Sequence, residues 1–202
     1  MRSIKSKVSS EIIINKSRFI GTLFQVRSEA DVSAFLEQIH KEHPGANHNS
    51  YAYIMGDFGQ IQKATDDGEP NKTAGIPILE ILKKNDLTDV LAVVTRYFGG
   101  IKLGAGGLIR AYAKTTKALV EQVEFVTKKR IDTYRLVVDY FHSNNIERIL
   151  RENAISVKPE YLEQVTFLFE IEHDFLPRVV ELLQNALNRV INLDLVSSLE
   201  TY

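Results

Sequence analysis

Residues 90–120 read VLAVVTRYFGGIKLGAGGLIRAYAKTTKALV, and the order of signals within them decides the architecture of the first half of the chain. VLAVVTRYF is apolar and β-branched at almost every position, the pattern of a buried strand. Five of the eleven glycines follow between residues 95 and 113, placing backbone N–H groups where no Cβ obstructs approach. A helix over about 105–121 is then expected, with Leu108, Tyr112, Thr115 and Leu119 on one face and Arg110, Lys114 and Lys117 on another. Strand, glycine run and helix N-terminus in succession favour an anion, because the first amides of a helix lack intrahelical partners and carry the positive end of its dipole.

Working outward, EIIIN (11–15) and RFIGTLFQV (18–26) read as a strand pair. Ser28 then opens a helix with Val32, Phe35, Leu36 and Ile39 on one face, ending before Pro44-Gly45. SYAYIMG and IQKAT read as a hairpin, the loop DDGEPNK leads to a helix over about 74–84 with Pro77 in its first turn, and VEFVTK closes this half as a strand. Beyond the basic cluster Lys128-Lys129-Arg130, taken as the seam, the expected order is strand 132–140, helix 143–153, strands 154–158 and 164–172, helix 175–188 and strand 190–199. This β-α-β-β-α-β succession predicts a ferredoxin-like plait. The fold class is therefore α+β in two domains, 1–127 and 131–202. In the plait, Tyr134, Leu136, Val138 and Tyr140 alternate with the same period as Val165, Phe167, Phe169 and Ile171, the helix-covered face. Arg135, Asp139, Thr166 and Glu170 fall on the open face, which is acidic and lacks the aromatics of a base-stacking sheet.

Composition narrows the function classes. The 202 residues include no cysteine, which excludes disulfides, thiolate metal sites and a cysteine nucleophile. The polar N-terminus MRSIKSKVSS and the absence of a long apolar run predict a soluble cytoplasmic protein with no membrane partner. The net charge of −1 conceals a division: residues 1–130 carry 19 Lys and Arg against 14 Asp and Glu, and residues 131–202 carry 6 against 12. A basic first half suits phosphates or an acidic partner.

The glycine run matches neither nucleotide fingerprint. Gly99 and Gly104 have the spacing of a Walker loop but are followed by Ala105-Gly106, and Gly104-x-Gly106 lacks its third glycine because Ile109 stands there. What survives is a general phosphate-binding surface of Arg96, Gly99, Gly100, Lys102, Gly104, Gly106, Gly107, Arg110 and Lys114. TDDGEPNKTAG (65–75) supplies Asp66, Asp67 and Glu69, which serve either as polar ligands or as an acidic turn at a helix entry. With His48, Asn49 and Thr73 they make a candidate polar cleft. His40 and His43 read as helix-end polar residues. No metal, cofactor or catalytic residue is assigned, since neither HExxH nor GxSxG is present and Ser50 simply heads a strand.

HNSYAY, TDDGEPNKTAGIPIL and VVTRYFGGIKLGAGGLIRAYA, in this order and spacing, closely resemble the IMPACT family and its bacterial YigZ-type branch, over about residues 1–127. The resemblance implies a first domain similar to the second domain of a small-subunit ribosomal protein and to the fourth domain of elongation factor G, and a tail similar to that factor's fifth domain. It also implies a role near translation or RNA, eukaryotic members being regulators of translation. Two residues depart from the family pattern: Ser50 stands where cysteine is usual, and Lys72 replaces a glycine. The reading is a translation-associated protein that binds RNA phosphates, the ribosome or a translation-related protein through the basic glycine-rich cleft. A small-molecule hydrolase or phosphotransfer enzyme using the carboxylate and glycine loops, and a pure protein-interaction module, are the alternatives.

Overall fold

The computed structural model describes residues 1–202 and divides into two compact units, Met1–Thr127 and Lys128–Tyr202. The first contains β1 (Arg2–Ile4), β2 (Val8–Ile14), β3 (Ser17–Gln25), α1 (Glu29–Glu42), β4 (His48–Met55), β5 (Ile61–Thr65), α2 (Gly75–Lys84), β6 (Val90–Tyr97), α3 (Gly104–Val120) and β7 (Phe125–Thr127). No helix in either unit is long and apolar enough to cross a membrane.

An antiparallel sheet in the order β2-β3-β6-β4-β5 organises the first unit, with β6 at its centre. Val90, Ala92 and Val94 pack with Ile78 and Leu82 of α2 and Leu108, Tyr112 and Leu119 of α3. The intervening Leu91 and Val93 pack with Val32 and Ile39 of α1. Both sheet faces are covered, which is why β6 reads as a continuous apolar run and not as an alternation. Ser28 and Asp31 close a capping box at the start of α1.

The sequence reading missed one element. Arg2–Ile4 pairs antiparallel with Phe125–Thr127, burying Ile4 completely and placing Ser3 Oγ to donate to the carbonyl of Asp89. Three residues beside lysines carry too little pattern to show this pairing, which depends on a strand more than a hundred positions away.

The second unit runs β8 (Lys129–Val138), α4 (Tyr140–Asn153), β9 (Ser156–Tyr161), β10 (Val165–Glu172), α5 (Leu176–Leu187) and β11 (Asp194–Thr201). Its antiparallel sheet has the order β11-β8-β10-β9, the arrangement of a ferredoxin-like plait. Tyr134, Leu136, Val138, Val165, Phe167, Phe169 and Ile171 form its core with Ile146, Leu150, Val179 and Leu183 from the helices.

The division between the units falls at the basic cluster Lys128-Lys129-Arg130, of which Lys129 and Arg130 already belong to β8 and pair with Glu172 and Asp132. Two expectations need correction. Tyr140 begins α4 and is half exposed, because the strand stops at Val138 and Asp139 takes the N-cap position. The open face is not simply acidic: Val137 and Leu199 stand exposed on it among the charged residues.

Candidate functional site

Strand parity builds the floor of the site. The series Val90-Ala92-Val94 faces α2 and α3, so the next residue of that series, Arg96, must point the same way. His48 lies directly opposite Arg96 in the β4–β6 register, at the end of the series Ile54-Ala52-Ser50. Each apolar row thus turns polar as it passes beneath the start of α3. A cavity of about 460 Å³ opens there, lined by Asn47, His48, Glu69, Pro70, Arg96, Phe98, Lys102, Leu103, Gly104, Ala105 and Leu108.

The acidic loop reaches this floor through a turn in which Asp67 and Gly68 adopt φ of +47° and +82°. Three successive residues of β4 hold the loop. His48 Nδ1 lies 2.7 Å from the Asp67 carbonyl, the Asn49 amide donates to Asp67 Oδ2 at 2.6 Å, and Ser50 Oγ donates to the Asp66 carbonyl at 2.7 Å. A carbonyl can only accept, so His48 Nδ1 carries its hydrogen, and Nε2 lies 4.0 Å from Glu69 Oε1. Ser50, expected merely to head a strand, is buried and fastens this loop.

The three carboxylates have separate tasks. Asp66 accepts from the amides of Ala74 and Gly75 with Oδ1 and from Lys72 with Oδ2, so it caps α2 in place of Ala74, which has no capping side chain. Burial raises its carboxyl, but the amides of Gly75, Lys72 and Ala74 more than offset this and hold it below the usual range. Asp67 holds the β4 backbone. Only Glu69 enters the cavity: its Oε1 accepts from Arg96 Nη1 at 2.6 Å and from the Tyr112 hydroxyl at 2.8 Å. Burial, with the Glu69 carboxylate beside it, pushes the Tyr112 hydroxyl far up, so it stays a donor. A hydrolytic centre built on all three carboxylates is therefore not assembled here.

Arg96, one of the residues expected to bind phosphate, is 5% exposed and lies at the floor of the cavity instead of on the open surface. Its charge is paired with Glu69, yet its Nε finds no partner. Lys102 is exposed on the rim, next to the first residues of α3, and no side chain caps that helix. The glycines divide by task. A Cβ on Gly99 would collide with the backbone of Lys16, so close packing there requires glycine, whereas Gly104, at φ +67°, begins α3 at the cavity edge. Gly100, Gly106 and Gly107 lie nearby without lining the cavity; Arg110 and Lys114 are exposed along α3, also outside it. Thr73 is buried and donates to the Pro70 carbonyl, and Asn49 is buried with its side-chain oxygen accepting from Thr95.

Tyr112, Phe98, Pro70 and Leu103 are site residues that the sequence reading did not select. Tyr112 looked like core because it shares a helix face with Leu108 and Leu119, and its ring is indeed buried against Phe19 at 5.4 Å. Only its hydroxyl belongs to the site.

A buried Arg–Glu–Tyr group beneath a glycine-initiated helix, with Lys102 at the rim, characterises this α+β domain. The Impact N-terminal domain model matches residues 15–120, and the chain belongs to the IMPACT family. It is 46% identical to the IMPACT family member YvyE of Bacillus subtilis over 171 residues, covering 84% of this chain and 79% of that protein. It is 38% identical to the IMPACT family member YigZ of Escherichia coli over 139 residues, 68% of each chain. A solved structure titled as that of a hypothetical protein superposes with a TM-score of 0.65 at 29% identity, covering 97% of both chains.

Proposed function

We propose that this chain is a cytoplasmic, translation-associated regulatory protein whose first unit binds RNA phosphates at the N-terminus of α3. The observation that carries the reading is the conjunction of an uncapped helix start, the exposed Lys102 and the buried Arg96 with its partnerless Nε around one cavity. Helix amides and a neighbouring cation are what a phosphate needs. Arg110 and Lys114 extend positive charge along the exposed side of α3, where a second phosphate of the same strand would run. Support for translation comes from the family, whose resemblance implies domains similar to those of a ribosomal protein and of elongation factor G.

The test is co-sedimentation with ribosomes and binding to a single-stranded RNA across a salt series. Lys102→Ala with Arg110→Ala is expected to weaken binding equally for all sequences and to lower the salt slope by about 0.7 for each phosphate no longer neutralised. Unchanged binding in that variant rejects the basic cleft, and ribosome binding that survives high salt identifies a protein partner in place of RNA.

A further inference from the structure

Cations that merely track a phosphate backbone can act from an open surface. This site is a cavity of about 460 Å³, within the roughly 300–1,000 Å³ typical of small-molecule sites. Its walls are largely apolar, from Pro70, Phe98, Leu103 and Leu108, while its polar groups gather at two places. At the rim are Lys102 and the amides of the α3 start. At the floor are Glu69, His48 and Arg96.

The floor is chemically mixed. Both hydrogen bonds to Glu69 fall on Oε1, leaving Oε2 as an acceptor without a protein donor. His48 Nε2 is a second acceptor when the ring is neutral, because Nδ1 is committed to the Asp67 carbonyl. Arg96 lines the cavity and contributes guanidinium donors, of which only Nη1 is bonded to Glu69. A phosphate alone would use the rim and gain nothing from two acceptors. A nucleotide presents an anion at one end, a flat apolar ring in the middle, and ring or ribose N–H and O–H donors together with acceptors at its edges.

We infer that the cavity takes a single unpaired nucleotide: phosphate at the N-terminus of α3, ring between Phe98 and the Leu103–Leu108 wall, and polar edge on Glu69, His48 and Arg96. This rests on the phosphate-binding reading above and adds to it a pocket for one ring. Phe98 is 46% exposed, so it presents an accessible face without anchoring the core.

Calorimetry on the full chain with the four nucleoside 5′-monophosphates, ribose 5-phosphate, inorganic phosphate and a single-stranded 12-nucleotide RNA separates the possibilities. At least one monophosphate is expected to bind ten-fold or more tightly than ribose 5-phosphate and to displace the RNA. Phe98→Ala is expected to bring that ratio close to one, with the thermal melt of the variant showing that it folds. Glu69→Gln is expected to change the preference among the four bases or to lower all four affinities relative to ribose 5-phosphate. RNA binding that no mononucleotide displaces would overturn the ring pocket and leave the phosphate-tracking reading standing. Equal affinity for nucleotides and ribose 5-phosphate would overturn it as well. If neither RNA nor any phosphate compound binds, both readings fall together.

Discussion

Arg96 donates to Glu69 across 2.6 Å with both side chains more than nine-tenths withdrawn from water. An ion pair so placed gains little over an apolar pair of the same shape, but losing one member leaves a charge without compensation. Its position, beneath the opening of α3, couples folding of the first unit to integrity of the candidate site.

Glu69→Ala should therefore destabilise the first unit by about 3–5 kcal/mol, because it strands the Arg96 guanidinium and the Tyr112 hydroxyl together. Glu69→Gln keeps an acceptor and should cost less. Urea unfolding followed by far-UV circular dichroism gives both values. A cost below about 1 kcal/mol for the alanine variant would place the pair among solvent-screened ones.

Asp66 holds three amides at the entry of α2. Asp66→Ala should cost roughly 2 kcal/mol, at the upper end of a helix cap because the acceptor is charged. The native carboxyl is held below its usual value, so its stabilisation is complete above the unfolded value of about 3.9 and is lost as pH falls through the folded one. Amide exchange of Ala74 and Gly75 at pH 6 and pH 3 would report the loss locally.

In the second unit Asp132 is completely buried and accepts from Ser198, His173 and Arg130. Burial raises its carboxyl, but these bonds more than offset that and pull it down to about 2. A depressed native carboxyl stabilises the fold at neutral pH. That contribution should fade as pH falls from about 4 toward about 2, and Asp132→Asn should abolish this part of the acid dependence. Thermal melts of both proteins between pH 2 and pH 7, read by near-ultraviolet tyrosine dichroism, distinguish the two curves.

Lys72 sits at φ +60°, a conformation that glycine adopts without steric penalty. This is the position at which the family pattern carries glycine, by the resemblance described above. Lys72→Gly should raise stability by roughly 0.5–1 kcal/mol, the left-handed strain removed less the flexibility that glycine adds to the unfolded chain. Its amide would still donate to Asp66. A lower melting temperature would show that the lysine side chain contributes something the strain argument omits.

Period and punctuation made much of the architecture legible. Alternation located the plait core from Tyr134 to Ile171, and the unbroken apolar run of β6 announced a strand covered on both faces. Charge was harder to read. Arg96 looks like a surface cation beside glycines, and nothing local discloses that Glu69, twenty-seven positions earlier, returns to neutralise it. Asp66 and Asp67 look like paired ligands because adjacency suggests a shared task, yet the turn sends one to the amides of α2 and the other to β4. Pairings between distant segments also stayed hidden, as with β1, whose three residues acquire meaning only beside β7. Sequence spacing reports which faces are apolar; it does not report which polar atoms find each other.

The bare start of α3 has a consequence for how binding would be driven. Many helices satisfy their first amides with a serine or aspartate of their own, but here Leu103 occupies that place and offers no oxygen. Those donors are oriented by the rest of the domain before any guest arrives. Under the phosphate-binding proposal, an incoming anion would meet a receptor whose geometry was settled during folding, so little conformational freedom would remain to be lost on association, and the helix itself would serve as the preorganised half of the complex.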